Sequence, residues 1–218
     1  MSLSALLFDL DGTLADSDPL HFRAFLTAAR NWGADFDEDY FATHMSGHSN
    51  REICEALLPG RSAEDHRGLA DEKEALFRAT VGQLQPIPGL RRLLEWARDH
   101  GLALAVVSNA PRANITAIVD AFGIADVFSV LVSGEELGRG KPDPLPYVTA
   151  LEHLGVTAEQ AVAFEDATPG LTAAVHAGIA TVGVLTSHPA ETLMRAGAAI
   201  TVADFADPAL LPFLRARM

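Results

Sequence analysis

Short apolar runs that alternate with helical stripes constrain this chain more than any other feature. Residues 3–10, 102–107, 127–132, 161–164 and 179–185 are runs of this kind, each bounded by Gly, Asp, Ser or Asn. Runs this short, rich in aliphatic residues and closed by turn formers, predict strands buried on both faces. Between them, apolar residues recur at three-to-four spacing: Leu90, Leu93, Leu94 and Ala97, then Ile115, Ile118, Val119 and Phe122, then Tyr147, Val148, Leu151 and Leu154. Gly101, Gly123, Gly155 and Gly178 fall just past helical patterns, where a helix stop is expected. Strand and helix in alternation predict an α/β fold: a Rossmann-like parallel sheet covered by helices on both faces.

The stretch 16–86 breaks this rhythm. It holds no convincing strand and several helix signals. Asp18-Pro19 is expected to cap a helix with Phe22, Phe25, Leu26 and Ala29 on one face, and Ser62 a longer one with Leu69, Leu76, Phe77 and Leu84. Leu57-Leu58-Pro59-Gly60 predicts a turn between helices, and Pro86-Ile87-Pro88-Gly89 a stiff return. The expected organisation is an α/β core of residues 1–15 and 87–218 with an α-helical cap, 16–86, inserted after the first strand.

Composition narrows the classes of partner. A chain of 218 residues, 49% hydrophobic, has ample material for a core. Its formal net charge is −13, with no basic stripe, which argues against nucleic acid. There are only two lysines, Lys73 and Lys141, and one cysteine, Cys54, so an internal disulfide is impossible. No signal-peptide pattern is present at the amino terminus, and no stretch reaches the roughly 18 apolar residues of a membrane span. A cytoplasmic location and no membrane partner are the expectation.

The chemistry is concentrated where the apolar runs end. Phe8-Asp9-Leu10-Asp11-Gly12-Thr13-Leu14 places two acids at the carboxyl end of the first run, and Phe164-Glu165-Asp166 places two more at the end of a later one. Asp11-Gly12 could be a plain turn. Two strand ends with clustered carboxylates, however, repel each other unless a cation lies between them, and Mg²⁺ suits such an oxygen set. Lys141, in Gly140-Lys141-Pro142-Asp143-Pro144, would supply a fixed cation for a site of this kind. Ser108-Asn109 follows another run and precedes a helix expected from Pro111, so its hydroxyl, amide and main-chain N–H groups suit a phosphate or, equally, an N-cap turn.

Taken in order, Asp9-Leu10-Asp11-Gly12-Thr13, Ser108-Asn109, Lys141 and Glu165-Asp166 resemble the four motifs of the haloacid dehalogenase superfamily over nearly the full chain. The run Phe164-Glu165-Asp166-Ala167-Thr168-Pro169-Gly170-Leu171 resembles the branch of phosphoglycolate phosphatases and β-phosphoglucomutase, whose members carry a helical cap between the first two motifs. The resemblance implies that Asp9 is the nucleophile and Asp11 the acid and base. It implies that Asp9, Asp166 and the Asp11 carbonyl hold Mg²⁺, with Glu165 in contact with the metal or one layer out. Ser108, Asn109 and Lys141 would grip the phosphoryl oxygens. Specificity would lie in the cap, at His21, Arg23 and the turn Gly47-His48-Ser49-Asn50-Arg51-Glu52, with Arg51 a candidate contact.

The superfamily holds unlike activities. Dehalogenation needs no metal and lacks the second acid, so Asp11 with Glu165-Asp166 argues against it. Phosphonate hydrolysis needs a lysine where Asn50 stands, and Lys73 is expected to lie well away on a later helix. Phosphomutase is the alternative, since His21-Phe22-Arg23-Ala24-Phe25 resembles the mutase sequence. Mutases, however, carry an arginine at the Asn50 position and a lysine-bearing loop after Ser108, where this chain has Asn109-Ala110-Pro111-Arg112. A non-catalytic binding module is disfavoured by the intact Asp9, Asp11, Lys141 and Asp166. The expected function is a Mg²⁺-dependent phosphatase for a small phosphorylated metabolite, acting as a monomer or weak homodimer.

Overall fold

The computed structural model describes residues 2–45 and 49–218. The chain divides into two compact units, Met1–Asp16 with Gln85–Met218, and Ser17–Leu84. Strand β1 (Ala5–Phe8) comes first, followed by the four helices of the second unit: α1 (Asp18–Asn31), α2 (Glu38–His44), α3 (Asn50–Leu57) and α4 (Ala63–Thr80). The first unit then resumes with α5 (Leu90–Asp99), β2 (Ala103–Ser108), α6 (Arg112–Ala121), β3 (Val130–Ser133), α7 (Gly134–Leu137) and α8 (Leu145–Leu154). It closes with β4 (Ala161–Glu165), α9 (Thr168–His176), β5 (Ala180–Val184), α10 (Ala190–Arg195), β6 (Ile200–Val202) and α11 (Leu210–Arg215).

All six strands form one parallel sheet in the order β3-β2-β1-β4-β5-β6. The α/β architecture expected from the alternation of runs and stripes is the one found. The chain builds outward from β1 to β2 and β3, then crosses back to lay β4 on the other side of β1. The carboxyl ends of β1 and β4 therefore flank the point where the winding reverses, which is where an open sheet leaves a crevice. Register brings the ends together: Phe8 pairs with Val106 on one side and Phe164 on the other.

The sheet is apolar on both faces because side chains alternate and both faces are covered by helices. On one face the Phe8 and Phe164 rings stack at 4.7 Å, and Phe205 meets both edge-on at 5.9 and 5.5 Å. On the other, Leu7, Val107 and Ala163 pack with Tyr147, Ala150 and Ala173. Two details depart from the sequence reading. The run 127–132 opens as a 3-10 turn, Ala125–Val127, and pairs only from Val130. Strand β6 has three residues, of which only Val202 is buried, and left no pattern to read.

The second unit packs Phe25, Ala28, Phe41, Met45, Ile53, Cys54, Leu58 and Leu69 into its own core. Helix α1 begins at Asp18, one residue before the expected start, with Pro19 in its first turn. Ser62 does cap α4, in a reciprocal box with Asp65, and the same box of Ser49 and Glu52 opens α3. Leu84, expected on the α4 stripe, lies beyond the helix, after a 3-10 turn.

Lys73 in α4 is buried, and an unpaired ammonium there would be costly. Glu74 pairs with it at 2.8 Å, Asn50 donates to the same carboxylate oxygen at 2.6 Å, and the Phe25 ring lies 4.6 Å from the ammonium. The expectation that Lys73 stands far from Asn50 is thus corrected: α3 and α4 fold together and join the two through Glu74.

Candidate active site

The site is assembled from the ends of β1, β2 and β4. Asp9 follows β1 directly, and its main-chain N–H continues the sheet by donating to Phe164 O at 3.0 Å. The chain then turns sharply, with the N–H groups of Thr13, Leu14 and Ala15 all donating to Leu10 O. Gly12 permits the turn with a φ of 76°, and its lack of a side chain has a second use. A Cβ at Gly12 would stand 2.0 Å from Asp166 Oδ2, so the glycine also makes room for that carboxylate. Asp11, half-buried in the same turn, lies close enough to Asp9 to raise its pKa.

At the end of β4, Glu165 and Asp166 are buried. Each carboxylate is held by neighbours from distant parts of the chain. Lys141 Nζ donates to Asp9 Oδ1 and to Glu165 Oε1, both at 2.6 Å. The hydroxyl of Tyr147, fully buried in α8, donates to the same Glu165 oxygen. The other Glu165 oxygen lies against Gly170 in α9, where a Cβ would come within 2.0 Å of it. Ser187, beyond the end of β5, donates its hydroxyl to Asp166 Oδ2, and Thr13 Oγ1 reaches Oδ1 at 3.5 Å.

Oxygens of Asp9, Glu165 and Asp166 lie within 4.8 Å of one another. Burial pushes the Glu165 and Asp166 carboxyls up to about 8, and the charge of Asp9 adds to the rise in both. Burial also raises Asp9, against the pull of Lys141, with Asp11 adding to the rise. On Lys141, burial opposes the charge, but Asp9 and Glu165 outweigh it and hold the ammonium above its ordinary pKa. Burial, then the charge of Glu165, holds the Tyr147 phenol well above its ordinary value, which keeps it a proton donor. Of the three buried carboxylates, two pair with the one ammonium, and the repulsion left over is what a divalent cation with oxygen ligands would relieve. The donor set fits such a cation.

At the end of β2, Ser108 is buried and its Oγ accepts the Ala110 N–H at 3.0 Å, a bond that does not use the hydroxyl hydrogen. Asn109, expected among the phosphate-binding residues, follows Ser108 directly. Its amide faces the main chain of Lys141, accepting from the N–H at 2.7 Å and donating to the C=O at 3.0 Å. Arg112, in the first turn of α6, is bound to Glu136 and to Leu131 O.

Of the expected specificity residues, Gly47 and His48 lie outside the described residues. His21 stacks on Phe77 at 4.0 Å within the second unit, where Lys73 also approaches that ring. Arg51 is 84% exposed and paired with Glu55 one turn on. The sequence reading missed Tyr147, Ser187 and Gly170. Tyr147 is the one hydroxyl-bearing residue on an otherwise apolar stripe, and Ser187 follows an apolar run, so both left a faint signal.

A family model described as haloacid dehalogenase-like hydrolase matches residues 6–184. The chain belongs to this family. The haloacid dehalogenase-like hydrolases similar to it include the phosphorylated carbohydrates phosphatase of Thermotoga maritima, 33% identical over 207 residues that cover 92% of this chain and 94% of that protein. The β-phosphoglucomutase of Bacillus subtilis is 31% identical over 199 residues, covering 86% and 85%. The crystal structure of CbbY from Rhodobacter sphaeroides in complex with phosphate aligns with a TM-score of 0.83 at 30% identity, covering 94% of this chain and 95% of that one. Among the described residues of this hydrolase, no helix is long and apolar enough to cross a membrane.

Proposed function

We propose that this hydrolase is a Mg²⁺-dependent phosphatase that cleaves a small phosphate monoester, a sugar phosphate or phosphoglycolate, through a phosphorylated Asp9. The observation that carries the reading is the buried trio Asp9, Glu165 and Asp166, with Lys141 bridging two of its members at adjoining strand ends. The similarity to a phosphatase of phosphorylated carbohydrates supports the substrate class.

In this reading Asp9 attacks the phosphorus in line, forming an acyl phosphate while the bond to the ester oxygen breaks. Asp11 gives its proton to the departing alkoxide, so the leaving group exits as an alcohol. Asp11, now a carboxylate, takes a proton from water as the water oxygen attacks the same phosphorus. The Asp9–phosphate bond then breaks, releasing inorganic phosphate and restoring both acids. The Lys141 ammonium neutralises charge on the phosphoryl oxygens, and Ser108 offers its hydroxyl hydrogen to them. Asp9, Asp166, Glu165 and the Asp11 carbonyl would hold Mg²⁺, which would supply further charge neutralisation.

The test is phosphate release from phosphoglycolate, hexose and pentose phosphates and β-glucose 1-phosphate, with and without Mg²⁺. Metal-dependent release is expected, with loss of at least about a thousandfold in a folded Asp9→Asn variant. Substantial residual turnover in that variant would sink the nucleophile assignment. The resemblance to β-phosphoglucomutase favours one second reading. Conversion of β-glucose 1-phosphate to an isomer that keeps its phosphate, without release, is the outcome that supports it.

A further inference from the structure

Asn109 immediately follows Ser108, the last residue of β2, which pairs with Ser133 just before Gly134. Its side-chain amide takes both main-chain groups of Lys141, 32 residues on, the N–H at 2.7 Å and the C=O at 3.0 Å. A donor and an acceptor set side by side on one planar group act here like a rung of sheet, fixing both position and orientation. Asn109 is exposed, but two glycines close on its amide oxygen. A Cβ at Gly140 would stand 2.4 Å from Asn109 Oδ1, and one at Gly134 would stand 2.6 Å from it.

The far end of Lys141 shows what this hold achieves. Nζ lies 2.6 Å from both Asp9 and Glu165, and the side chain between root and ammonium is buried. A lysine has several rotatable bonds, so a fixed ammonium requires both a confined stem and a fixed root. The carboxylates and the buried wall confine the stem. Asn109 fixes the root.

We propose that Asn109 is a positioning residue for Lys141, and that its amide does not itself bind the phosphoryl group. The proposal rests on the phosphatase reading, in which Lys141 is the cation that meets the phosphoryl oxygens. It assigns to the loop after β2 a task distinct from that of Ser108.

The first test compares Asn109→Ala, Gly140→Ala and the double variant by kcat/KM for p-nitrophenyl phosphate with saturating Mg²⁺. Each single variant is expected to lose about tenfold or more. The double variant should be no worse than Asn109→Ala, because the new methyl enters a slot already vacated. Wild-type activity in Gly140→Ala, or losses that multiply in the double variant, would overturn the proposal.

The second test needs no turnover. With only two lysines in the chain, isotope-labelled lysine gives nuclear magnetic resonance signals from Lys73 and Lys141 alone. In Asn109→Ala the Lys141 amide should exchange at least about tenfold faster and its ammonium signal should move, with Lys73 unchanged. Unmoved Lys141 signals, or an equal response at Lys73, would count against the hold. If the Lys141 signals respond as expected while no ester is hydrolysed, the phosphatase reading fails and the hold of Asn109 on Lys141 stands.

Discussion

At the scale of the residue, the candidate site is a problem of charge placed in a dry setting. Asp9, Glu165 and Asp166 are legible in the sequence because an acid that ends an apolar run has few structural reasons to be there. The groups that hold them are not, because Tyr147 reads as one more core residue of a helical stripe and Ser187 as one more loop serine. Their hydrogen bonds to Glu165 and Asp166 join residues 18 and 21 positions apart. A hydrogen bond to a charged group contributes about 1.5–3 kcal/mol, enough to fix a carboxylate's orientation. Tyr147→Phe, which removes only the hydroxyl, is therefore expected to lower kcat/KM about tenfold and to lower unfolding free energy by no more than about 3 kcal/mol. Steady-state kinetics with urea denaturation reads both, and unchanged kinetics would remove Tyr147 from the site.

At the scale of the element, the start of α9 is where helix propensity and site geometry conflict. A glycine inside a helix ordinarily costs about 0.5–1 kcal/mol relative to alanine, so Gly170→Ala considered locally should stabilise the protein. The Glu165 carboxylate, however, occupies the space a Cβ would need, at 2.0 to 2.3 Å for three of its atoms. Overpacking of this kind costs about 1–3 kcal/mol, which exceeds the propensity gain. Gly170→Ala is thus expected to be destabilised by about 1–2 kcal/mol in urea unfolding and to lose Mg²⁺-dependent activity. A more stable, fully active variant would show that Glu165 has another resting place. The sequence marked the end of α9 through Gly178 as a helix stop, but the reason for Gly170 appears only once β4 has carried Glu165 over it.

At the scale of the whole molecule, the raised carboxyls link stability to pH. Glu165 and Asp166 have ordinary values of 4.5 and 3.8 and stand at about 8 in the folded chain. Between those limits the folded state binds more protons than the unfolded one, so stability present at low pH is lost as pH rises toward 8. A divalent cation that binds the charged carboxylates should offset that loss. Mg²⁺ is accordingly expected to raise the melting temperature, relative to a chelator, more at about pH 8 than at about pH 5. Scanning fluorimetry at both values checks this, and an equal or larger shift at the lower pH would contradict it. The sequence by itself determined the α/β class and the placing of acids at strand ends, because periodicity and turn chemistry are local properties written along the chain. Tertiary structure alone decided that Asn109 turns to the root of Lys141, that Lys73 reaches Asn50 through Glu74, and that Gly12 and Gly170 leave room for carboxylates. Those are contacts between segments that only the crossing of strands and helices brings within hydrogen-bond range, and no local pattern encodes such a distance.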